Sequence, residues 1–448
     1  MSLALVILAA GKGSRMKSAL PKVLHQVGGL SLVEHCLKTG AALDADRTVV
    51  VTGHGGEAVG ETVSKAAPEA TIVTQTDQLG TAHAVDQARA ALADHEGYTI
   101  VLYGDSPFIR AETITAMHQQ CLGGAAVCVL GFEAASPSKY GRLILGPSGL
   151  EAIVEAKDAT KDQLEITLCN SGVMCAKTRD MFDLIAQVDN ANAKGEYYLT
   201  DLPGLARAKG GRCAVVTCDE AETLGVDSRI GLAKAETYFQ STARMAAMEA
   251  GVTLRDPDTV YFSHDTRLGQ DVIVDPFVQF LPGVTVASDV HIKAHSVLEA
   301  CRVERGAVIG PYARLRPGAA IGENARIGNF VEVKNAQLGT GTKVNHLAYI
   351  GDAEIGESAN IGAGTITCNY DGVFKHKTKI GARAFIGSNS SLVAPITIGE
   401  DALVGSGSVV TKDVGDGDLA VGRAQQVTKP GWGKRFMDKL RNKKAEGK

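Results

Sequence analysis

From Ile309 to Val410 the chain carries aliphatic residues in runs spaced by six. Ile309, Leu315, Ile321, Ile327 and Val333 keep this phase; after a slip of one residue come Leu338, Val344 and Ile350, and after another Ile355, Ile361 and Thr367. A longer interruption follows, and the count returns at Ile380, Ile386, Leu392, Ile398, Val404 and Val410. A small residue often stands next, as at Gly310, Gly322, Gly328, Gly351, Gly356, Gly362, Gly381, Gly387, Gly399 and Gly405. Neither the helical period nor the alternation of a single strand produces this spacing. A coil of three short strands does. Each flat side takes six residues, points one aliphatic side chain inward and turns where glycine or another small residue relieves crowding. The pattern predicts a parallel β-helix whose coils bury their apolar edges against one another. Val274, Phe280, Val286, Ile292 and Leu298 keep the same phase and extend the solenoid backward.

Residues 1–226 follow another rhythm. Apolar runs at Leu5–Leu8, Thr48–Val51, Thr71–Val73, Thr99–Leu102 and Ala126–Leu130 are separated by Ala-rich segments with helical spacing. This predicts a Rossmann-like α/β unit, a mostly parallel sheet with helices on both faces, whose ligands bind at the carboxyl ends of the strands. The stretch from Ile230 to Ala250, rich in Ala, Met, Glu and Lys, predicts a linking helix. The expected organisation is an α/β domain over 1–227, a linker helix over 228–250, the solenoid over 251–425 and a basic tail over 426–448. From Lys429 that tail carries eight basic residues against two acidic, with the only Trp, Trp432.

Composition narrows the classes. A chain of 448 residues has room for two or three domains. A net charge of −4 gives no global basic field, so nucleic acid is not the expected partner. Aromatics at 5% and 51 glycines suit thin coils. The nine Cys contain no C-x-x-C pair, which points to scattered free thiols in a reducing cytoplasm and away from a disulfide framework or zinc site. The N-terminus reads as a buried first strand, and no apolar run approaches membrane-spanning length, so a soluble cytoplasmic protein with no membrane partner is expected.

The first strand ends in Leu8-Ala9-Ala10-Gly11-Lys12-Gly13-Ser14-Arg15-Met16. Small residues let a phosphate approach backbone amides, and Lys12 and Arg15 add positive charge. Met16 stands where a Rossmann fingerprint has its third glycine, and no G-K-[ST] makes a Walker A loop. Pro21-Lys22 supplies a second cation, Gln75 and Gln78-Leu79-Gly80-Thr81 supply groups suited to a base edge, and Asp105 closes the fourth strand where Mg²⁺ could share oxygens with phosphates. A turn-forming Asp is an equally good reading of Asp105 alone. In order, these pieces resemble the sugar-nucleotide pyrophosphorylases, and the resemblance continues through Tyr140-Gly141-Arg142, Ile153-Val154-Glu155, Asn170-Ser171-Gly172, Gly195-Glu196-Tyr197-Tyr198 and Gly225-Val226-Asp227. It implies a UTP and sugar-nucleotide site formed by Leu8, Ala9, Ala10, Gly11, Gly13, Gly80, Thr81 and Tyr103. Within it Gln75 would read uracil, Gly141, Glu155 and Asn170 would contact the sugar, Arg15 and Lys22 would hold phosphates, and Asp105 and Asp227 would hold Mg²⁺. Two positions depart from the family pattern: Asp227 replaces its usual Asn, and Ala156 its usual His.

In the solenoid the informative residues are polar. Arg314-Leu315-Arg316-Pro317 offers guanidinium groups on the outer face. Lys334, His346, Tyr349, Asn360, Asn369 and Tyr370 fall within a few successive coils, and a segment is thrown out between Thr367 and Ile380. A lone surface His is usually inert; this clustering weakens that reading. Arg314–Gly318, GNFVE at 328–332, GDAEIG at 351–356 and NIGAGTITCNYDG at 360–372 resemble the bifunctional N-acetylglucosamine-1-phosphate uridylyltransferase and glucosamine-1-phosphate N-acetyltransferase family (GlmU), nearly throughout the chain. The resemblance implies a left-handed β-helix, on which spacing is silent, and a homotrimer whose acetyl-transfer sites are shared between neighbouring solenoids. It implies that Arg316, Lys334, Tyr349, Asn360 and Lys375 bind the sugar phosphate, and that Ala363, Asn369, Tyr370, Ser388, Ser406 and Arg423 lie around acetyl-CoA. Ser406 stands where the family has Ala. His346 suits the role of general base, because histidine side chains ordinarily titrate at about pH 6.5. The remaining alternative is a monofunctional nucleotidylyltransferase whose solenoid only assembles the oligomer, in which His346 and Lys334 have no catalytic task.

Overall fold

The structure, a computed structural model, describes residues 2–137, 140–147, 149–192 and 194–446. The chain divides into two compact units, Met1–Ala243 and Arg244–Lys448.

The first unit is built on a nine-stranded sheet. Its strands are β1 (Leu3–Ala9), β2 (Arg47–Thr52), β3 (Thr71–Thr74), β4 (Tyr98–Tyr103), β5 (Val127–Glu133), β6 (Arg142–Gly146), β7 (Gly149–Val154), β8 (Leu168–Lys177) and β9 (Cys213–Cys218). The order is β9-β5-β8-β4-β1-β2-β3, with the β6–β7 hairpin attached to β8. Successive β1 side chains feed opposite faces, as a pleated strand requires. Leu3, Leu5 and Ile7 pack with Val33, Val59 and Met117 of three helices on one side, while Ala4 and Val6 share a core with Met181 and Leu202 of two helices on the other. All five runs predicted as strands are strands, with helices on both faces. The sequence did not reveal β8, which runs antiparallel between β4 and β5. Its register shifts between Asn170 and Met174. Gly172, at φ 91, accommodates that irregularity where a Cβ would meet the Tyr103 ring at 2.7 Å.

The second unit is the predicted solenoid. Its strands form three parallel ladders of ten, eight and eight members. Every residue of the hexad series, from Val274 to Val410, is buried. Burying such an aliphatic side chain contributes roughly 1.5–3 kcal/mol, so the column is the main source of the solenoid's stability. Thr367 breaks the apolar series without leaving a polar group unpaired: its hydroxyl accepts from the Gly351 amide at 2.8 Å and donates to the Gly351 carbonyl at 3.1 Å.

Two details differ from the spacing argument. A second inward column stands two residues earlier, filled by small residues such as Ala307, Ala313, Ala319, Ala325, Ala359 and Ser390. Apart from Gly310, at φ 91, the glycines after the aliphatics also do not make the turns. A Cβ on Gly381 would lie 2.5 Å from the Glu400 nitrogen, and one on Gly322 2.6 Å from the Leu338 oxygen, so glycine here admits the backbone of the next coil. The turn itself falls two residues later, at a positive-φ position. Glycine takes it at Gly341 and Gly364, Asn at Asn324 and Asn389, and aromatic residues at Phe277, Tyr312 and Phe330.

All nine cysteines are free thiols, and no helix among the described residues is long and apolar enough to cross a membrane.

Gly381→Ala is expected to destabilise the solenoid by about 1–3 kcal/mol, the usual cost of overpacking. Gly204→Ala, inside the helix Leu202–Ala208 where a Cβ meets nothing within 4 Å, is expected to be neutral to slightly stabilising. Thermal melting of both variants checks this, and equal midpoints would remove the close-approach explanation.

Candidate active sites

At the carboxyl ends of β1 and β4 the first unit encloses a cavity of about 600 Å³. Leu8, Ala10, Gly11, Lys22, Gln75, Gly80, Thr81, Tyr103, Asp105, Gly141, Glu155 and Asn170, all selected from sequence, line it together. Ala9 faces the core instead, and Gly13, Arg15 and Asp227 stand outside the lining. The glycine-rich turn divides its work. Around Gly11 a Cβ would meet nothing within 4 Å, which leaves room for a ligand. Gly13, at φ 58, lets the chain pass Lys22, whose Cβ would be 2.6 Å from an added side chain.

Gln75 is buried, and its amide nitrogen is engaged by the Gly80 carbonyl and His83 Nδ1, each at 3.1 Å, so its oxygen remains for a ligand. Gln78 donates to the Ala10 carbonyl at 2.7 Å and ties this segment to the turn. Burial, and then the neighbouring Asp105 charge, push the Tyr103 hydroxyl upward and keep it neutral, in contact with Thr81. The Asn170 amide donates to the Gly141 carbonyl at 2.8 Å, joining two predicted sugar contacts. Lys157 and Lys194 also line the cavity. Sequence reading missed both, although each stands within two residues of a quoted motif residue, Glu155 or Glu196.

The four charged groups expected at the phosphates and metal are paired. Lys22 bridges Asp105, and Arg15 bridges Asp227. The Val226 amide donates to the Asp105 carbonyl at 2.8 Å and brings the two acidic segments together. Asp227 is not the cap of the following helix, Arg229–Glu249; Ser228 accepts from the Gly231 amide at 3.1 Å. Among the described residues no group of three or more His, Cys, Asp or Glu could hold a metal ion. Asp105 and Asp227 offer hard carboxylate oxygens, the kind of donor that suits Mg²⁺ completed by phosphate and water.

On the solenoid, Lys334 and Tyr349 lie on one ladder, with Arg316 directly after the Arg314–Leu315 strand of that ladder. Arg316 donates to Glu332 at 2.7 Å, and that bond holds its guanidinium even more firmly protonated than usual. The Lys334 ammonium lowers the pKa of Lys375, which the extruded loop carries beside it. Asn360 pairs with Lys343 and Phe385 on a different ladder, so the chain does not bring it onto the face of Lys334 and Tyr349.

His346, Ala363, Ser388 and Ser406 each follow a buried aliphatic by two residues in successive coils, after Val344, Ile361, Ile386 and Val404. They form one line along a corner, and Arg423 continues it past Gly407. Asn369 is already engaged by Asp352, and Tyr370 is exposed with its hydroxyl on the Gly372 carbonyl at 2.5 Å. Beside the line runs a stack that sequence reading missed: Phe277, His295, Tyr312 and Phe330, with ring centroids 4.9, 4.7 and 5.2 Å apart.

Comparison with known proteins covers both units. The family described as MobA-like NTP transferase domain matches residues 5–193. The family described as bacterial transferase hexapeptide (six repeats) matches 300–335 and 377–412. The chain is 58% identical to the bifunctional protein GlmU of Ruegeria sp. (strain TM1040), over 99% of both chains. It is 56% identical to that of Paracoccus denitrificans (strain Pd 1222), over 98% of both. A solved UDP-glucose pyrophosphorylase complexed with UDP-glucose is similar over 54% of this chain and all of its own, with a TM-score of 0.43 and 18% identity.

Proposed function

The chain belongs to the GlmU family of bifunctional proteins, and on that premise we propose that it makes UDP-N-acetylglucosamine in two reactions. An acetyl group passes from acetyl-CoA to glucosamine-1-phosphate on the solenoid, and a uridylyl group then passes from UTP to the N-acetylated sugar phosphate in the α/β unit. The carrying observation is that the extruded loop sets Lys375 beside Lys334, which lies on the ladder of Tyr349 in coils adjoining His346. A solenoid used only for assembly gives no reason for two ammonium groups to be held together. We place the uridylyl unit at 1–227, the acetyltransferase unit at 251–425, a helix at 228–250 between them and the basic tail at 426–448. The nine free thiols fit a cytoplasmic enzyme.

In acetyl transfer, Arg316, Lys334 and Lys375 receive the sugar phosphate, which relieves the repulsion between the two lysines. The amine attacks the thioester carbonyl carbon, His346 takes its proton, and the C–S bond breaks to release the coenzyme thiol. Backbone amides at the corner stabilise the oxyanion. The line from His346 through Ala363, Ser388 and Ser406 to Arg423 gives the long coenzyme a track. In uridylyl transfer, a sugar-phosphate oxygen attacks the α-phosphorus of UTP in line and pyrophosphate leaves. Gln75 and Gly80 orient the base, Gly141, Glu155 and Asn170 hold the sugar, and Lys22 and Arg15 offset the repulsion between anionic substrates. Mg²⁺, held by Asp105 and Asp227, would add charge neutralisation at the phosphates. Binding triphosphate requires Lys22 and Arg15 to exchange carboxylate partners for phosphate.

We infer a homotrimer. Asn360 reaches the phosphate face only from a neighbouring solenoid, and the exposed aromatic stack supplies apolar surface for such a contact. Light scattering should give three chains. Co-expression of Lys334→Ala with Asn360→Ala should restore acetyl transfer that neither variant has alone, and a monomeric, active enzyme would sink the shared site.

His346→Ala should lose acetyl transfer by about 10²–10⁴-fold and retain uridylyl transfer. Separate assays on one preparation decide this, and parallel loss of both would falsify two independent sites.

Asp227→Asn should keep uridylyl transfer and shift its Mg²⁺ requirement upward, because an amide oxygen still ligates but carries no charge. Asp227→Ala should fall much further. Initial rates titrated against Mg²⁺ measure both, and an Ala variant with the wild-type profile would remove Asp227 from the metal site.

A further inference from the structure

Two solenoid strands, Arg326–Asn329 and Lys343–His346, are four residues long, whereas the others have two or three. Their extra length pairs Asn329 with His346 one coil further on. The pairing depends on Gly328, where a Cβ would lie 1.9 Å from the Asn345 carbonyl oxygen. The corners that follow adopt the same conformation, with Phe330 at φ 56 and Leu347 at φ 50. Asn329 Oδ1 thereby stands 2.7 Å from His346 Nδ1, the one hydrogen bond its ring makes among the described residues. In the next coil the corresponding residue is Ala363, which has no polar side chain to compete.

An amide oxygen can only accept, so the proton of this bond belongs to Nδ1. The Nε2 lone pair is then free. We propose that Asn329 is a positioning residue for acetyl transfer, holding His346 in the Nδ1–H tautomer so that Nε2 accepts the proton of the attacking amine. The proposal rests on His346 being the base. The amine nitrogen forms its bond to the acetyl carbon, its proton moves to Nε2, and that proton passes on to the thiolate as the C–S bond breaks. The choice of a neutral partner matters. A carboxylate would fix the same tautomer but would also favour the charged ring, which cannot take a proton. Glu332, the carboxylate three residues along, is engaged by Arg316 at 2.7 Å. The other charged groups about the ring are cations: Lys293 and Arg326 line its cavity, and Lys343 begins its strand.

The test begins with the tautomer itself. The ¹⁵N spectrum of histidine-labelled full-length protein, with the His346 signal assigned from His346→Gln, should show Nδ1–H in the wild type and a mixture in Asn329→Ala. Acetyl-transfer kinetics follow. Asn329→Ala should lower kcat roughly 10–100-fold, by analogy with removing the hydrogen-bonded partner of a metal-bound histidine, with KM for both substrates little changed. Asn329→Asp should move the acidic limb of the kcat/KM profile upward by about one pH unit. Thermal melting and light scattering of the same samples report folding of the solenoid. An Nε2–H tautomer in the wild type would overturn the proposal, as would an unshifted profile in Asn329→Asp. Full acetyl transfer by His346→Gln would instead overturn the assignment of the base, while the tautomer measurement stands by itself.

Discussion

Each coil of the second unit is held to the next by backbone hydrogen bonds that allow no slip. The amides of Gly310, Arg314 and Arg316 donate to Ile327, Val331 and Val333 at 2.7, 2.9 and 2.8 Å, and the same step recurs along the stack. Moving one coil by a single residue would turn its inward aliphatic outward, so register and core enforce each other. Chemistry on this scaffold is therefore arranged in columns. The aliphatic column stabilises, the glycine column admits the adjoining backbone, the left-handed column turns, and between the last two runs the line that contains Asn329 and His346. The loop carrying Asn369, Tyr370 and Lys375 is inserted without disturbing any of this, because pairing resumes at Thr378 and Ile380 against Ala353 and Ile355.

The two sites treat charge differently. In the α/β unit, Lys22 with Asp105 and Arg15 with Asp227 are self-compensated pairs. Arg15 and Asp227 are substantially exposed, and pairs of that kind contribute little, typically below about 1 kcal/mol, so exchanging the partner for a phosphate is not costly. On the solenoid, Lys334 and Lys375 are held beside each other, with Asp352 as a counter-charge. Asp352 is fastened by Asn335 at 2.6 Å and by Asn369, so it serves as part of the loop's anchorage. One site waits with its charges matched, and the other with an excess of positive charge.

Much of this was legible in the chain. The phase of six could only come from stacked coils, because no helix or flat strand repeats at that interval, and every residue it marked from Val274 to Val410 is buried, although the second inward column of small residues escaped it. The apolar runs of the first half became strands for an equally local reason: a strand buried on both faces must be apolar throughout. The motif residues about the cavity, from Leu8 to Asn170, lie at loop and strand ends where chain order alone predicts convergence.

What the sequence could not specify is whatever depends on a second segment coming close. The antiparallel β8 carries an apolar run like any parallel strand, and only its neighbours show its direction. Spacing marked the small residues after many of the aliphatics but not whether they turn the chain or make room; the approach of Gly328 to Asn345 decides that. Asn360 stood beside Lys334 and His346 in the order of the chain, yet three flat faces separate residues by angle as well as by coil, and the ladders placed it elsewhere. Sequence by itself determined the period, the core and the inventory of charged groups, because these follow from local pattern. Tertiary structure decided which of those groups face one another, because a contact between residues seventeen positions apart is set by the pitch of the coil and by backbone room that no single residue reveals.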